Sequence, residues 1–309
     1  SLETPPPMFI RVCAILLAWS WFALPAVATA QTLEQQLLAE SADELAADVL
    51  AEGDAKRGAV VFHLQTVGCV KCHSVGDGAE KQPAQFGPNL AQLKDQKGVG
   101  NREVVQSILD PSAAIRKGLE AITEERTDGT VLTGLQVERA DDGAVSVLDV
   151  KTLETVRIAA AEIEEVATQK LSVMPSGVVN TLAGRQQFLD LAKYVIEVRD
   201  GGAKRAQELQ PPAALIAFRL PEYESEVDHA GLIRTRDRKS LERGEAIFSR
   251  LCANCHGTLE HAGSLPTALR FGEGKFRNGS DPYAMYRTLT HGFGLMVPQT
   301  WMVPQQKYD

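Results

Sequence analysis

Cysteine is scarce in this chain: there are five in 309 residues, and one of them, Cys13, falls in an apolar N-terminal run. The four that remain sit in two short clusters, so no disulfide framework of the kind that staples small secreted domains can be built from them. Long hydrophobic runs are missing as well. Val12 to Val27 is nearly all apolar, but it is shorter than the ~20 residues that span a bilayer and Pro25 interrupts it. Positive charge is in deficit, with 32 Lys and Arg against 40 Asp and Glu and a net charge of −8, which argues against a nucleic-acid partner. What remains is ordinary soluble composition, 44% hydrophobic and 23% charged, in a length that suits two modest domains.

The four cysteines form Cys69-Val70-Lys71-Cys72-His73 and Cys252-Ala253-Asn254-Cys255-His256. Cys-X-X-Cys-His reads as c-type haem attachment. Two thiols three apart on a helical turn can each add to one haem vinyl group, and the adjacent His is then placed under the iron as its proximal ligand. A zinc ribbon would join its two Cys pairs across about 15 to 20 residues, and these pairs lie much further apart. A thioredoxin-like motif wants a βαβ context, which is absent, and has no use for the trailing His.

Export agrees with that chemistry. Met8 to Arg11 is a short basic start, the apolar run follows, and Ala28-Thr29-Ala30 supplies a small-X-small cleavage site, so residues 8–30 read as a secretory signal and Ser1 to Pro7 as upstream of the initiator. Maturation would begin the protein at Gln31, remove Cys13 and leave no stable membrane span. The expected location is periplasmic or otherwise exported.

Residues 31–52 are predicted to form one helix, with a Thr32…Gln35 capping box, leucines at helical spacing and six acidic residues without a Lys or Arg. Its acidic side is either a solvated face or a docking surface for a basic partner. A second helix begins at Asp54, and its Arg57-Gly58 and Phe62 recur as Arg243-Gly244 and Phe248. The repeat marks two copies of one fold. A Gly four residues before an aromatic would let this helix pack closely against a later one, predicted over Leu182 to Val198.

Gly87-Pro88-Asn89-Leu90 after the first motif resembles the cytochrome c family. The resemblance implies that the Pro88 carbonyl accepts the Nδ1 proton of His73; read without it, the segment is a simple Pro turn. Ile108-Leu109-Asp110-Pro111-Ser112 and Ser172-Val173-Met174-Pro175-Ser176-Gly177 narrow the likeness. Residues 53–199 resemble a haem-binding domain common in planctomycete and verrucomicrobial proteins, in which a β insertion separates the two halves of the cytochrome fold. The residues agree independently. Glu120 to Thr127, Thr130 to Glu138, Val145 to Val150, Thr155 to Ile158 and Ile163 to Ala167 are alternating or β-branched, and Asp128-Gly129 and Asp142-Gly143 offer hairpin turns. The insertion, about residues 120–168, holds no Cys, His or Met and is expected to be dispensable for haem attachment. Met174, placed just before Pro175 and the last helix, is the candidate sixth ligand.

Residues 200–239 read as a linker that starts at Asp200-Gly201-Gly202 and carries an apolar patch, Ala213 to Leu220. Residues 240–309 read as the second cytochrome domain, with Leu241 to Leu251 as its first helix and Pro266 in the role given to Pro88. Met296 is its candidate sixth ligand, Met302 the alternative and His291 a third choice. Pro304 to Asp309 looks like only the start of a closing helix, which would leave Gly244 and Phe248 without a partner and make the chain the N-terminal part of something longer.

The sequence therefore predicts a mainly α fold of two cytochrome c-like domains, the first interrupted by a small antiparallel β insertion. Its cofactors would be two covalent c-type haems with iron held by His73, Met174, His256 and Met296. Its partners would be a redox protein donor and acceptor. A di-haem peroxidase, the electron-accepting part of a larger dehydrogenase, and an interaction module built on the insertion are the competing readings.

Overall fold

The computed structural model describes residues 31–77, 86–94, 98–149, 154–261, 263, 265, 268–273 and 276–309. The predicted signal segment with Cys13, and Pro266, lie outside them. Residues 32–309 form one compact unit.

The acidic N-terminal segment is two helices, not one. The Thr32 box caps α1 (Leu33–Leu38), but Ser41 then accepts from the Glu44 amide and starts α2 (Ala42–Glu52) anew. A serine hydroxyl that captures an amide this way favours a cap over a helix interior. The acidic side is partly neutralised within the chain. Arg185 reaches Glu40 at 2.8 Å, Asp48 at 2.5 Å and Glu52 at 3.8 Å, and Arg102 lies 3.5 Å from Asp43.

Asp54 caps α3 (Ala55–His63) by accepting from the amides of Lys56 and Arg57. After the first Cys-X-X-Cys-His turn comes α4 (Asn101–Leu109), then the insertion, β1 (Ala121–Arg126), β2 (Val131–Arg139), β3 (Val145–Asp149), β4 (Thr155–Ile158) and β5 (Ile163–Thr168). The sheet is antiparallel in the order β4-β3-β2-β1-β5, with Ala121 opposite Leu135 and Leu135 opposite Leu148. Because successive side chains point to opposite faces, one face carries Ile122, Val145, Val147 and Ile158 into the sheet's own core. The other carries Ala121, Leu135 and Leu148 against Phe86, Val173 and Cys72. The insertion therefore packs against the first motif.

The long helix α5 (Arg185–Glu208) crosses α3. A Cβ on Gly58 would overlap the Asp190 carbonyl and crowd Tyr194, so only glycine lets the two backbones meet. Phe62, Phe188 and Tyr194 are fully buried at this crossing, with Leu191 and Val195 beside them. Arg57 pins it with a two-pronged pair to Asp190, 2.7 and 2.8 Å, and Asp190 also accepts from the Asp54 amide and from Gln186. Asp200-Gly201-Gly202 is a kink inside α5 at Gly202, not the end of the helix.

The predicted linker is largely structured. It contains α6 (Ala213–Ile216), which lies beside α3, and α7 (His229–Arg234). Between them Glu224 is bound by the Tyr286 hydroxyl at 2.6 Å and by the buried Lys307 ammonium at 2.9 Å. His229 Nδ1 sits 2.9 Å from the Tyr308 hydroxyl. Next come α8 (Arg238–Ile247), a π-helical turn over Phe248–Cys252, α9 (Ala253–His256), α10 (Pro282–His291) and α11 (Pro304–Tyr308). Gly244 does have a partner, contrary to the sequence expectation. A Cβ there would overlap the carbonyl of Asp309, and Arg243 makes a two-pronged pair with the Asp309 carboxylate at 2.8 Å to each oxygen. The Arg-Gly repeat thus marks one helix contact built twice.

Burial works against the charge of Asp190, but the bonds from Arg57, Asp54 and Gln186 outweigh it and hold the carboxyl below its ordinary value of 3.8. Such a group lends stability that is present above the unfolded-state value and is lost as pH falls through the lower, folded value. Asp190→Asn should lower the urea midpoint at pH 7 and flatten the fall of stability below about pH 4. Parallel acid titrations of the two proteins would contradict this account of the crossing.

Candidate haem-binding site

The first motif begins where α3 ends. Gly68 turns the chain at φ 83°, and a single tight turn follows in which the amides of Cys72 and His73 both donate to the Cys69 carbonyl, at 3.2 and 2.9 Å. That turn puts Cys69, Cys72 and His73 on one wall. The loop after it is stitched back by the Gly87 amide to Cys72 and the Leu90 amide to Ser74, at 3.1 and 2.8 Å. His73 Nδ1 donates to the Pro88 carbonyl at 3.0 Å, which fixes the tautomer and leaves Nε2 free as an acceptor. Desolvation lowers the His73 pKa, opposed by that bond, so the ring is held towards the neutral form that a metal ligand needs. A Cβ on Gly87 would overlap the imidazole, so the backbone itself packs against the ring.

The second motif is built differently. The π turn leads directly into α9, and His256 Nδ1 donates to the Leu269 carbonyl at 2.9 Å. The acceptor is thus three residues beyond Pro266, the residue expected from the sequence, which lies outside the described residues. Phe271 lies against the imidazole at 4.9 Å between ring centres.

Both motifs open on one continuous cavity of about 1780 Å³. An ordinary single-ligand pocket holds about 300–1,000 Å³, so the space exceeds what one such ligand fills. Of the six histidines only His73 and His256 line it. His63 bonds the Ala59 carbonyl and packs on Phe62 and Tyr194, and His291 bonds the Arg287 carbonyl at the surface, outside the cavity lining. Met174, Met296 and Met302 are all on the cavity wall. Met174 is tethered through its amide to Ser172, whose own amide is held by Ser112, which explains why the Asp110-Pro111-Ser112 stretch accompanies it. Met296 closes a tight turn with Phe293, whereas Met302 is buried beside α11.

The donor set fits a covalent haem better than its rivals. Among the described residues no three His, Cys, Asp or Glu side chains converge as a bound metal ion would need, and Cys69, Cys72, Cys252 and Cys255 form no disulfide. Burial pushes the Cys69 thiol up to about 12 and the Cys72 and Cys252 thiols up to about 11, which is the reverse of an activated redox thiol. Neutral thiols on an apolar wall, each motif with an imidazole fixed by a backbone carbonyl, suit thioether attachment and iron ligation.

Residues 239–308 match the family model described as cytochrome c oxidase, cbb3-type, subunit III. That segment is similar to a c-type cytochrome domain, and it contains Cys252, Cys255, His256, Met296 and Met302. No curated protein matches the chain.

Sequence reasoning missed Leu269, whose part is played by its backbone alone, and Phe271. It also passed over Lys71 and Asn254, whose positions inside the motifs were the one available signal. In folded chain lacking haem, thiols with these raised values should react with maleimide at pH 8 about 100-fold more slowly than in urea. Equal rates in the folded and unfolded protein would show that the thiols are not buried as described.

Proposed function

We propose that this is an exported di-haem c-type cytochrome that carries single electrons between a donor and an acceptor protein. One observation carries the reading: two Cys-X-X-Cys-His turns line a common cavity, each with its imidazole oriented by a backbone carbonyl, and Met174, Met296 and Met302 line the same cavity. The cytochrome c domain at residues 239–308 supports electron transfer with redox partners and covalently bound haem iron. Among the described residues no helix is long and apolar enough to cross a membrane. The signal-like segment at 8–30 supports export.

Bound haem iron would supply reversible one-electron exchange. The chain's own residues do the rest. Cys69 and Cys72 would hold one haem and Cys252 and Cys255 the other. The Pro88 and Leu269 carbonyls hold the protons of His73 and His256 at Nδ1 and present Nε2. Met174 and Met296 would complete the ligation, and thioether ligation favours a comparatively high potential. Phe86, Val173 and the sheet residues Ala121, Leu135 and Leu148 keep water from the first site. A Met ligating each iron would leave neither with the open position that peroxide turnover requires.

Haem staining after denaturing electrophoresis, with intact mass, tests the count. The exported protein should carry two haems, and Cys72→Ala with His73→Ala, or Cys255→Ala with His256→Ala, should each remove one. Met174→Ala should keep both haems while lowering the potential of one and removing part of the near-infrared sulfur-to-iron band. A single covalent haem, or none, would contradict the proposal.

A further inference from the structure

Lys71 is the second spacer residue of the first motif, yet its ammonium group is spent on the other half of the chain. Nζ donates to the carbonyl of Gly294 at 2.7 Å and to that of Met296 at 3.2 Å. Those carbonyls belong to the turn in which Phe293 and Met296 exchange backbone bonds, at 3.1 and 2.9 Å. Next to it, a Cβ on Gly68 would stand 2.5 Å from Val297 Cγ1, so the entry to the first motif and the loop that follows Met296 are in close contact.

The contact is reciprocal. Asn254 is the second spacer residue of the other motif. Its Nδ2 lies where a Cβ on Gly177 would come within 2.6 Å, three residues after Met174. Gly177 adopts φ 78°, a conformation that suits glycine and lets the backbone approach. Each motif therefore touches the methionine loop of the opposite half through the same position of its Cys-X-X-Cys-His sequence.

We infer that Lys71 is a positioning residue for the Met296 loop, with Asn254 in the matching place against the Met174 loop, so that each iron's sixth ligand is held by the neighbouring haem's attachment motif. The inference rests on the di-haem reading. Its physical basis is direct. A turn as short as Phe293–Met296 has only its own two backbone bonds to hold it, and a cationic donor shared between two of its carbonyls fixes where the Met296 backbone stands. Attachment of the second haem would not need Lys71, because Cys252, Cys255 and His256 are unaffected by it. Retention of its thioether would.

The test uses the exported, haem-loaded protein in a Met174→Ala background, so that the remaining near-infrared sulfur-to-iron band belongs to the second site alone. Lys71→Met should leave two haems attached, weaken that band and lower the second haem's potential. Hydrogen exchange at Met296 and Val297 should quicken about tenfold to a hundredfold, the range expected when a hydrogen bond from a charged donor is lost. Lys71→Arg, which can still donate to both carbonyls, should restore the band and the protection. Lys71→Gln, polar but too short to reach both, should behave like Lys71→Met and serves if the latter is poorly exported. Two haems with band, potential and exchange unchanged in Lys71→Met and Lys71→Gln would overturn the inference alone. A single haem in the parent protein would overturn the di-haem reading and the inference with it.

Discussion

Two helices can cross at backbone distance only where at least one of them lacks a side chain at the contact, and at Gly58 the chain meets that constraint and then reinforces it with charge. Asp190 is buried under the crossing and would be unfavourable there alone. Arg57, the Asp54 amide and Gln186 satisfy it, and the pair locks the angle at which α3 delivers Cys69 into the cavity. The same arrangement recurs where Arg243 meets Asp309 over Gly244, with α8 delivering Cys252. The helix contact comes first in both halves, and the positions of the thiols, the imidazoles and the cavity follow from it.

The two halves differ in what surrounds that shared contact. The first has a second wall, the sheet, whose Ala121, Leu135 and Leu148 close over Cys72 and Phe86. The second has instead the segment before α8, drawn in by Glu224. Its carboxylate is disfavoured by burial but is held ionised by Tyr286 and Lys307, and Lys307 in turn also binds Thr290 and lies 4.8 Å over the Tyr286 ring. A buried Lys–Glu pair is weak evidence of net stability, but it is strong evidence of a fixed register, because leaving either partner alone would be costly.

Much of this was legible in the sequence, for identifiable reasons. The five strands were readable to within a residue or two because β-branched alternation and Asp-Gly turns are local signals. The two Cys-X-X-Cys-His turns and the Arg-Gly repeat were readable because each depends on fixed local spacing. Three features were not. The break between α1 and α2 turns on whether Ser41 caps or continues a helix, which periodicity does not decide. The partner of His256 is a backbone carbonyl, and every residue has one, so the analogy with Pro88 points to Pro266 and nothing in the sequence points to Leu269. The structured linker and the Lys71 contact depend on pairings across long separations, Glu224 with Lys307 and Lys71 with Gly294, which leave no local trace.

A single cavity lined by both motifs means that two haems bound there would lie within reach of one another, and this is the central claim. Electron paramagnetic resonance of the fully oxidised, exported protein tests it most directly, by comparing the intact protein with variants in which one motif is removed. Dipolar broadening or splitting of each low-spin ferric signal that vanishes when either motif is lost is the predicted result. Two sharp signals that simply add, each unchanged by removal of the other, would contradict it.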